Sequence, residues 1–222
     1  MRGNRCFVGL DLSSGGDLTS LALEFPLDDG KYYIYSHSFM PRQRLEEHIK
    51  TDLAPYDIWE QQGLLTVTDT FGGVKNDYKF IIKHLKDLKE QYGIEIVGIG
   101  YDPHNADGFL ADLEDFGVPL LSITQSARFL NDATVDFELE CRASNVIYDK
   151  SNDLMTWSMV NARKVSNSFG EIKVDKEPKA RNKRIDVVDA IIDAHTVMMK
   201  NKPQEVDLNA HADDYMRIMG WI

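Results

Sequence analysis

The sequence predicts an α/β fold built on a mixed sheet, antiparallel on one side and parallel on the other, with helices on both faces. Two observations carry this. Three apolar strand-like runs open the chain with only turn-rich segments between them, which is the pattern of an antiparallel meander. Helix-period and strand-like segments then alternate, which is the pattern of parallel strands joined by helical crossovers. The composition agrees: 222 residues, 43% hydrophobic and 27% charged, suit one α/β domain with a buried core.

In chain order, the opening strands are Cys6 to Leu12, Leu18 to Phe25 and Lys31 to Phe39, parted by Ser13-Ser14-Gly15-Gly16 and Asp28-Asp29-Gly30. Pro41 starts a short amphipathic helix to about Lys50. Tyr56 to Gln62 has no decisive period, and Leu64 to Thr70 alternates as a strand. From Asp77, a candidate N-cap, Phe80, Ile81, His84, Leu85 and Leu88 recur at helical spacing up to Gly93, a candidate C-terminal stop. Ile94 to Tyr101 follows as a short apolar strand. A second unit repeats the order, with a helix near Ala106 to Phe116 and a buried strand at Leu120 to Thr124. Helices are expected at Asp132 to Arg142 and Asp153 to Val160, a β-hairpin at Ser166 to Asp175 centred on Phe169-Gly170, and a last helix from Arg184 to about Lys200. The domain is expected to occupy residues 1–202 and residues 203–222 to form a tail, whose terminal Tyr215, Met216, Ile218, Met219, Trp221 and Ile222 suit docking on the domain or a partner.

Several function classes drop out. No stretch approaches the roughly 18 apolar residues of a membrane span, and the N-terminus lacks an apolar leader, so a cytoplasmic, non-membrane protein is expected. Cys6 and Cys141 are too few for a disulfide framework or a thiolate zinc site and read as reduced thiols. The net charge of −11 opposes polyanion binding by the whole surface. The basic residues bunch instead between Lys173 and Arg184.

Three acidic elements are candidates for chemistry. Asp11, in Val8-Gly9-Leu10-Asp11-Leu12, lies on the strand face opposite Leu10 and Leu12; alone it reads as readily as a strand-end turn cap. Asp102 closes the strand Ile94 to Tyr101, and ligand sites in open α/β sheets gather at the carboxyl ends of strands; an Asx turn before Pro103 is the plainer alternative. Asp186, Asp189 and Asp193 form a carboxylate stripe beside the apolar stripe of Ile185, Val188, Ile192 and Met199; a solvated acidic helix face would look the same. Oxygen ligands from several elements are what a two-ion Mg2+ or Mn2+ centre requires, with the ions about 3.5 to 4 Å apart. Few cysteines and scattered histidines fit that hard-cation chemistry.

Beyond composition and spacing, five blocks resemble a known family. They are Gly9-Leu10-Asp11-Leu12-Ser13-Ser14 with Asp17-Leu18-Thr19-Ser20-Leu21, then Trp59-Glu60-Gln61-Gln62-Gly63-Leu64-Leu65, Ile99-Gly100-Tyr101-Asp102-Pro103-His104-Asn105-Ala106, Asp175-Lys176-Glu177, and Arg184-Ile185-Asp186. In this order they resemble the nuclease domain of the large terminase subunit of HK97-type tailed bacteriophages. The resemblance implies an RNase H-like fold and a divalent-metal-dependent endodeoxyribonuclease that cuts concatemeric viral DNA during genome packaging. It implies metal ligands at Asp11, Asp102 and Asp186, with Asp189 as the nearest further candidate, so the third ligand stays open between Asp186 and Asp189. It also implies double-stranded DNA, a packaging ATPase domain, a small terminase subunit and a portal protein as partners, in the host cytoplasm at the procapsid portal. No Gly-rich phosphate loop occurs here, so the ATPase is expected on a part of the protein absent from this chain. His104 departs from the family, which often carries an aromatic residue there.

Around these candidates, His104 is assigned a supporting role and Ser13 and Asp17 an orienting role towards Asp11, although turn formation accounts for them equally. Lys176, Lys179, Arg181, Lys183 and Arg184 read as a basic DNA-following segment or as a wet charged surface. Tyr56, Trp59 and Trp157 read as core residues. Three rival functions remain. A Holliday-junction resolvase-like nuclease would use the same carboxylates; an actin-like ATPase would need a second phosphate hairpin that is absent; and a non-catalytic module could dock DNA or the portal.

Overall fold

The computed structural model describes residues 2–13, 18–73, 77–104, 106, 108–177, 182–201, 217 and 219. Along the chain run β1 (Arg5–Asp11), β2 (Thr19–Pro26), β3 (Tyr32–Pro41), α1 (Arg42–Thr51), α2 (Tyr56–Gln61), β4 (Leu65–Thr68), α3 (Lys79–Tyr92), β5 (Glu95–Tyr101), α4 (Leu110–Glu114) and β6 (Leu120–Ser122). They continue with α5 (Ala127–Arg142), β7 (Val146–Tyr148), α6 (Asp153–Asn161), β8 (Ala162–Ser166), β9 (Ile172–Lys176) and α7 (Asp186–Asn201). The main sheet has the order β4-β3-β2-β1-β5-β6, and β7 also pairs with β3. The β1-β2-β3 meander is antiparallel, while β5 and β6 add in parallel on one side and β4 in parallel on the other. The expected mixed sheet is therefore present.

Alternation along β1 divides the core. Cys6, Val8 and Leu10 enter one cluster with Ile81, Leu85, Phe109 and Leu113 of α3 and the α4 region, whereas Phe7 joins the opposite cluster with Val187, Ile191 and Ala194 of α7. Asp11 shares the parity of Phe7 and Gly9, so its apolar neighbours Leu10 and Leu12 face away from α7, as the strand pattern requires.

Helix α7 lies almost on the backbone of the sheet. An added Cβ at Gly9 would sit 2.0 Å from the Ala190 carbonyl oxygen and 2.3 Å from the Ala194 nitrogen; one at Gly100 would meet Val197 at 2.6 Å and the Asp193 carbonyl at 3.1 Å. Two adjacent parallel strands thus repeat one device, Gly9-Leu10-Asp11 and Gly100-Tyr101-Asp102. The glycine admits the helix, and two residues later, on the same face, an aspartate ends the strand.

Some boundaries differ from expectation. α5 begins at Ala127 rather than near Asp132, because Ser126 caps it by accepting a hydrogen bond from the Phe129 amide at 3.2 Å. The helix expected from Ala106 is confined to α4, and β6 is three residues long and half-exposed rather than buried, as befits a sheet edge. β7, too short for a periodic signal, was not anticipated. The hairpin arms reach back to Ala162 and forward to Lys176. Tyr56 and Trp59 are buried core residues, and half-buried Trp157 packs tilted against Trp59 with ring centroids 5.3 Å apart. Cys6 and Cys141 are free thiols. Apart from Arg217 and Met219, the C-terminal segment 203–222 lies outside the described residues.

Gly9→Ala is expected to destabilise the domain by at least about 3 kcal/mol, since backbone, not a flexible side chain, blocks the new methyl. Gly93→Ala, at a left-handed helix end with open space around it, should cost only about 1–2 kcal/mol. Urea unfolding followed by circular dichroism checks the contrast; equal losses would contradict the close helix-sheet approach.

Candidate metal centre

The parallel register sets Leu10 against Tyr101, so Asp11 and Asp102 end neighbouring strands side by side. The Asp102 amide donates to the Leu10 carbonyl at 3.3 Å, extending the pairing one step past the strands. The Asp102 carboxylate also accepts from the His104 amide at 2.9 Å, so the Asx turn of the plainer reading exists alongside membership of the acidic group. The first turns of α7 bring Asp186, Asp189 and Asp193 down onto this edge. The stripe is not a freely solvated face: Asp193 is fully buried, Asp186 and Asp189 are half-buried, and eleven residues of the helix are buried in all.

The electrostatics show how closely the carboxyls meet. Burial pushes Asp11 well above the ordinary carboxylate range, and Asp186, Asp189, Asp193 and Asp102 push it further. Burial also raises Asp193 well above its usual value; hydrogen bonds from Gln125 Nε2 to both its oxygens, at 3.1 and 3.3 Å, oppose the rise. Asp189 is raised to about 8 by burial and by Asp186, against the pull of Lys173 and Lys176. Asp186 is raised by burial but is backed by its own backbone amide and by the positive charges of Arg184 and Lys176.

Other expected residues are distributed as follows. Ser13 holds the turn after β1 through its backbone: its amide donates to Thr19 Oγ1 at 3.1 Å and its carbonyl accepts from Tyr78 at 3.0 Å. His104 is exposed just past Asp102. Lys176 ends β9 and acts on both Asp186 and Asp189, and Lys183 is 3.6 Å from Glu177. Asp17, Ser14, Lys179 and Arg181 lie outside the described residues. Arg184 requires correction: it is buried, with Nε 3.0 Å from Asp52 Oδ2, so its guanidinium is committed to the interior and not to a DNA-facing surface. Sequence reasoning also missed Gln125 and Asp52, and took Lys173 only as the start of the basic run. The repeated Gly-x-Asp was a legible signal for the sheet edge; Gln125 and Asp52 left none.

A set of carboxylate oxygens suits a hard divalent cation, and mutual repulsion between buried carboxyls is the condition that a cation relieves. Asp11, Asp102, Asp186 and Asp189 are the candidates for such an ion. Among the described residues, no group of three or more acidic, imidazole or thiol side chains is placed so as to hold a metal ion as it stands.

The sheet order, with helices on both faces and acids at the carboxyl edge of the parallel strands, defines an RNase H-like α/β domain. Within that class, the chain belongs to the family described as the terminase large subunit, endonuclease domain, whose model matches residues 1–202. It is 30% identical over 172 residues to the terminase large subunit of Enterobacteria phage HK97, a match covering 77% of this chain and 33% of that protein. It thus spans about a third of that relative's length. The crystal structure of the HK97 bacteriophage large terminase matches with a TM-score of 0.76 at 28% identity, over 87% of this chain and 39% of that one. The large terminase nuclease from thermophilic phage G20c, solved with bound magnesium, shares the fold with a TM-score of 0.53 at 14% identity, over 87% of this chain and 81% of that one.

The raised carboxyls make a pH prediction for metal-free protein. A group whose pKa is about 8 when folded and near 4 when unfolded favours the fold fully below pH ~4, and that contribution is lost as pH rises through 8. Asp189→Asn should therefore raise Tm relative to the parent at pH 9 by about 2–4 °C, the effect of ~1 kcal/mol in a domain of this size. At pH 5 the difference should shrink. Thermal melts in EDTA test this, and a parent-variant gap that does not change with pH would refute it.

Proposed function

We propose that this chain is the cutting domain of a DNA-packaging motor: a divalent-metal-dependent endonuclease that hydrolyses phosphodiester bonds of concatemeric viral DNA. The observation that carries the reading is the meeting of Asp11, Asp102, Asp186 and Asp189 at one sheet edge, close enough that their charges oppose one another. Asp11, Asp102 and Asp186 would hold Mg2+ or Mn2+, in a two-ion arrangement, with Asp189 as an additional ligand. When bound, such ions supply charge stabilisation at the scissile phosphate and activation of the attacking water. The magnesium carried by the G20c nuclease supports this choice of cation.

The protein's own contribution is to fix the carboxylates and to bring DNA to them. Lys173 and Lys176 stand beside the acidic group on β9, where they attract phosphate along the approach to the site, with Lys183 farther along the same segment. His104, exposed next to Asp102, is suited to contact the scissile phosphate. In the complete protein, residues 1–202 would act as the nuclease unit and 203–222 as a tail. A packaging ATPase domain, a small terminase subunit and a portal protein would restrict cutting to the start and end of packaging in the host cytoplasm. No helix among the described residues is long and apolar enough to cross a membrane.

Supercoiled plasmid incubated with this chain should be nicked and linearised with Mn2+ or Mg2+, and left intact in EDTA. Asp102→Ala and Asp186→Ala should abolish cleavage while folding normally. Cleavage in EDTA, or undiminished cleavage by both variants, would overturn the assignment. In filter-binding titrations with metal replaced by Ca2+, Lys176→Ala should lower DNA affinity without sequence bias and reduce the slope of log K against log salt by about 0.9. An unchanged slope would remove Lys176 from the DNA path.

A further inference from the structure

Immediately before α7, Arg184 enters a buried polar network that no catalytic step requires. Its Nε donates to Asp52 Oδ2 at 3.0 Å, and its Nη2 lies 3.0 Å from His48 Nδ1. A guanidinium only donates, so that ring nitrogen accepts. Asp52 is itself saturated: Oδ2 also accepts from the Tyr56 hydroxyl at 2.9 Å, and Oδ1 from Thr51 Oγ1 at 2.8 Å. On the other side, Asn161 Nδ2 of α6 donates to the Arg184 carbonyl at 3.3 Å. Residue 184 is thus held by side chain and backbone at once, from α1 with its C-terminal cap Asp52 and from α6, while Tyr56 of α2 holds Asp52.

Its location argues against a role in stabilising the helix. The amino end of a helix carries partial positive charge, which disfavours a cation there and favours an anion. A buried ion pair is moreover weak evidence of net stabilisation, because desolvation offsets much of its attraction; fixing geometry is its better-attested use. What Arg184 does have is proximity to Asp186, two residues on, and its charge acts on that carboxyl. The Ile185 carbonyl between them accepts from both Val188 and Asp189 and so begins the helix. Any shift of Arg184 is therefore passed to the first turn, where Asp186 and Asp189 sit.

We propose that Arg184, clamped by Asp52 with Tyr56 and His48, is a positioning residue that sets the Asp186 carboxylate for metal binding. This inference rests on the reading of Asp186 as a metal ligand. The clamp does not touch substrate; it acts by fixing where α7 starts and by countering the charge at Asp186.

The test is Mn2+ affinity, read as unbound Mn2+ by electron paramagnetic resonance in the absence of DNA, well below the melting temperature of each variant. Arg184→Lys keeps the charge but not the forked geometry, and Tyr56→Phe removes a single hydroxyl and is the variant least able to impair folding. Arg184→Lys should weaken Mn2+ binding by about 10–100-fold, the range for residues that orient metal ligands, and Tyr56→Phe by a smaller factor in the same direction. Added to Asp186→Asn, Arg184→Lys should have little further effect, since both act through one carboxylate. A merely structural clamp would lower the melting temperature and leave Mn2+ affinity at the parent value; that result in folded Arg184→Lys, or in Tyr56→Phe if the lysine variant does not fold, overturns the proposal. Failure of the parent chain to bind Mn2+ would instead overturn the metal reading of Asp186, and this inference with it.

Discussion

Everything at the acidic edge depends on how closely α7 approaches the sheet. Helices ordinarily pack on sheets through side chains, at separations of about 10 Å. Here Gly9 and Gly100 remove the intervening Cβ atoms, so that the backbone of Ala190 and Ala194 rests on β1 and that of Asp193 comes near β5. The same two strands end, two residues later, in Asp11 and Asp102. One local choice, glycine before aspartate at the same parity, thus sets the depth of the helix and the direction of the carboxylates. A larger residue at either glycine would lift α7 and separate the acids it carries from those on the strands.

That approach has an electrostatic cost, and the distribution of charge around the site limits it unevenly. Asp11 and Asp193 have burial and like charge against them, with Gln125 relieving only Asp193. Asp186 has Arg184 and Lys176 in support, and Asp189 has Lys173 and Lys176. On the proposed reading this distribution suits a cation: anionic where an ion would sit, and cationic one step outside, where phosphate would arrive. The net charge of −11 accordingly says little about DNA, because part of it belongs to carboxyls that do not face bulk solvent.

Much of this was legible in the sequence. The meander, the alternation of helices and strands, the parity of Asp11 and the carboxyl-end position of Asp102 follow from period and punctuation alone. What was not legible depended on tertiary contact. An acidic stripe at spacings of three and four reads the same whether it faces water or a sheet, so the burial of Asp193 could not be foreseen. Arg184 sat within a basic run and read as part of it; its partner Asp52 is 132 residues away, with nothing local to link them. β7 is too short for periodicity to register, the helix expected near Ala106 to Phe116 is shorter than its pattern, and the start of α5 turned on one cap, Ser126.

The buried polar contacts along α7 then acquire a common explanation. A helix buried on nearly every side has no exposed face to define its rotation about its own axis, and a one-residue slip would turn its acids by about 100°. Three side chains on or just before it oppose such a slip. Arg184 is tied to Asp52 before the first turn, Asp193 to Gln125 near the middle, and His195 to Glu24 at 2.8 Å and Asp136 at 3.0 Å. Although burial alone would lower the His195 pKa, Glu24 and Asp136 outweigh it and raise the value. These ties reach α1, the loop after β6, β2 and α5, so each fixes the helix against a different part of the domain. Apolar burial determines that α7 is the central helix; the polar ties determine which of its faces meets Asp11 and Asp102.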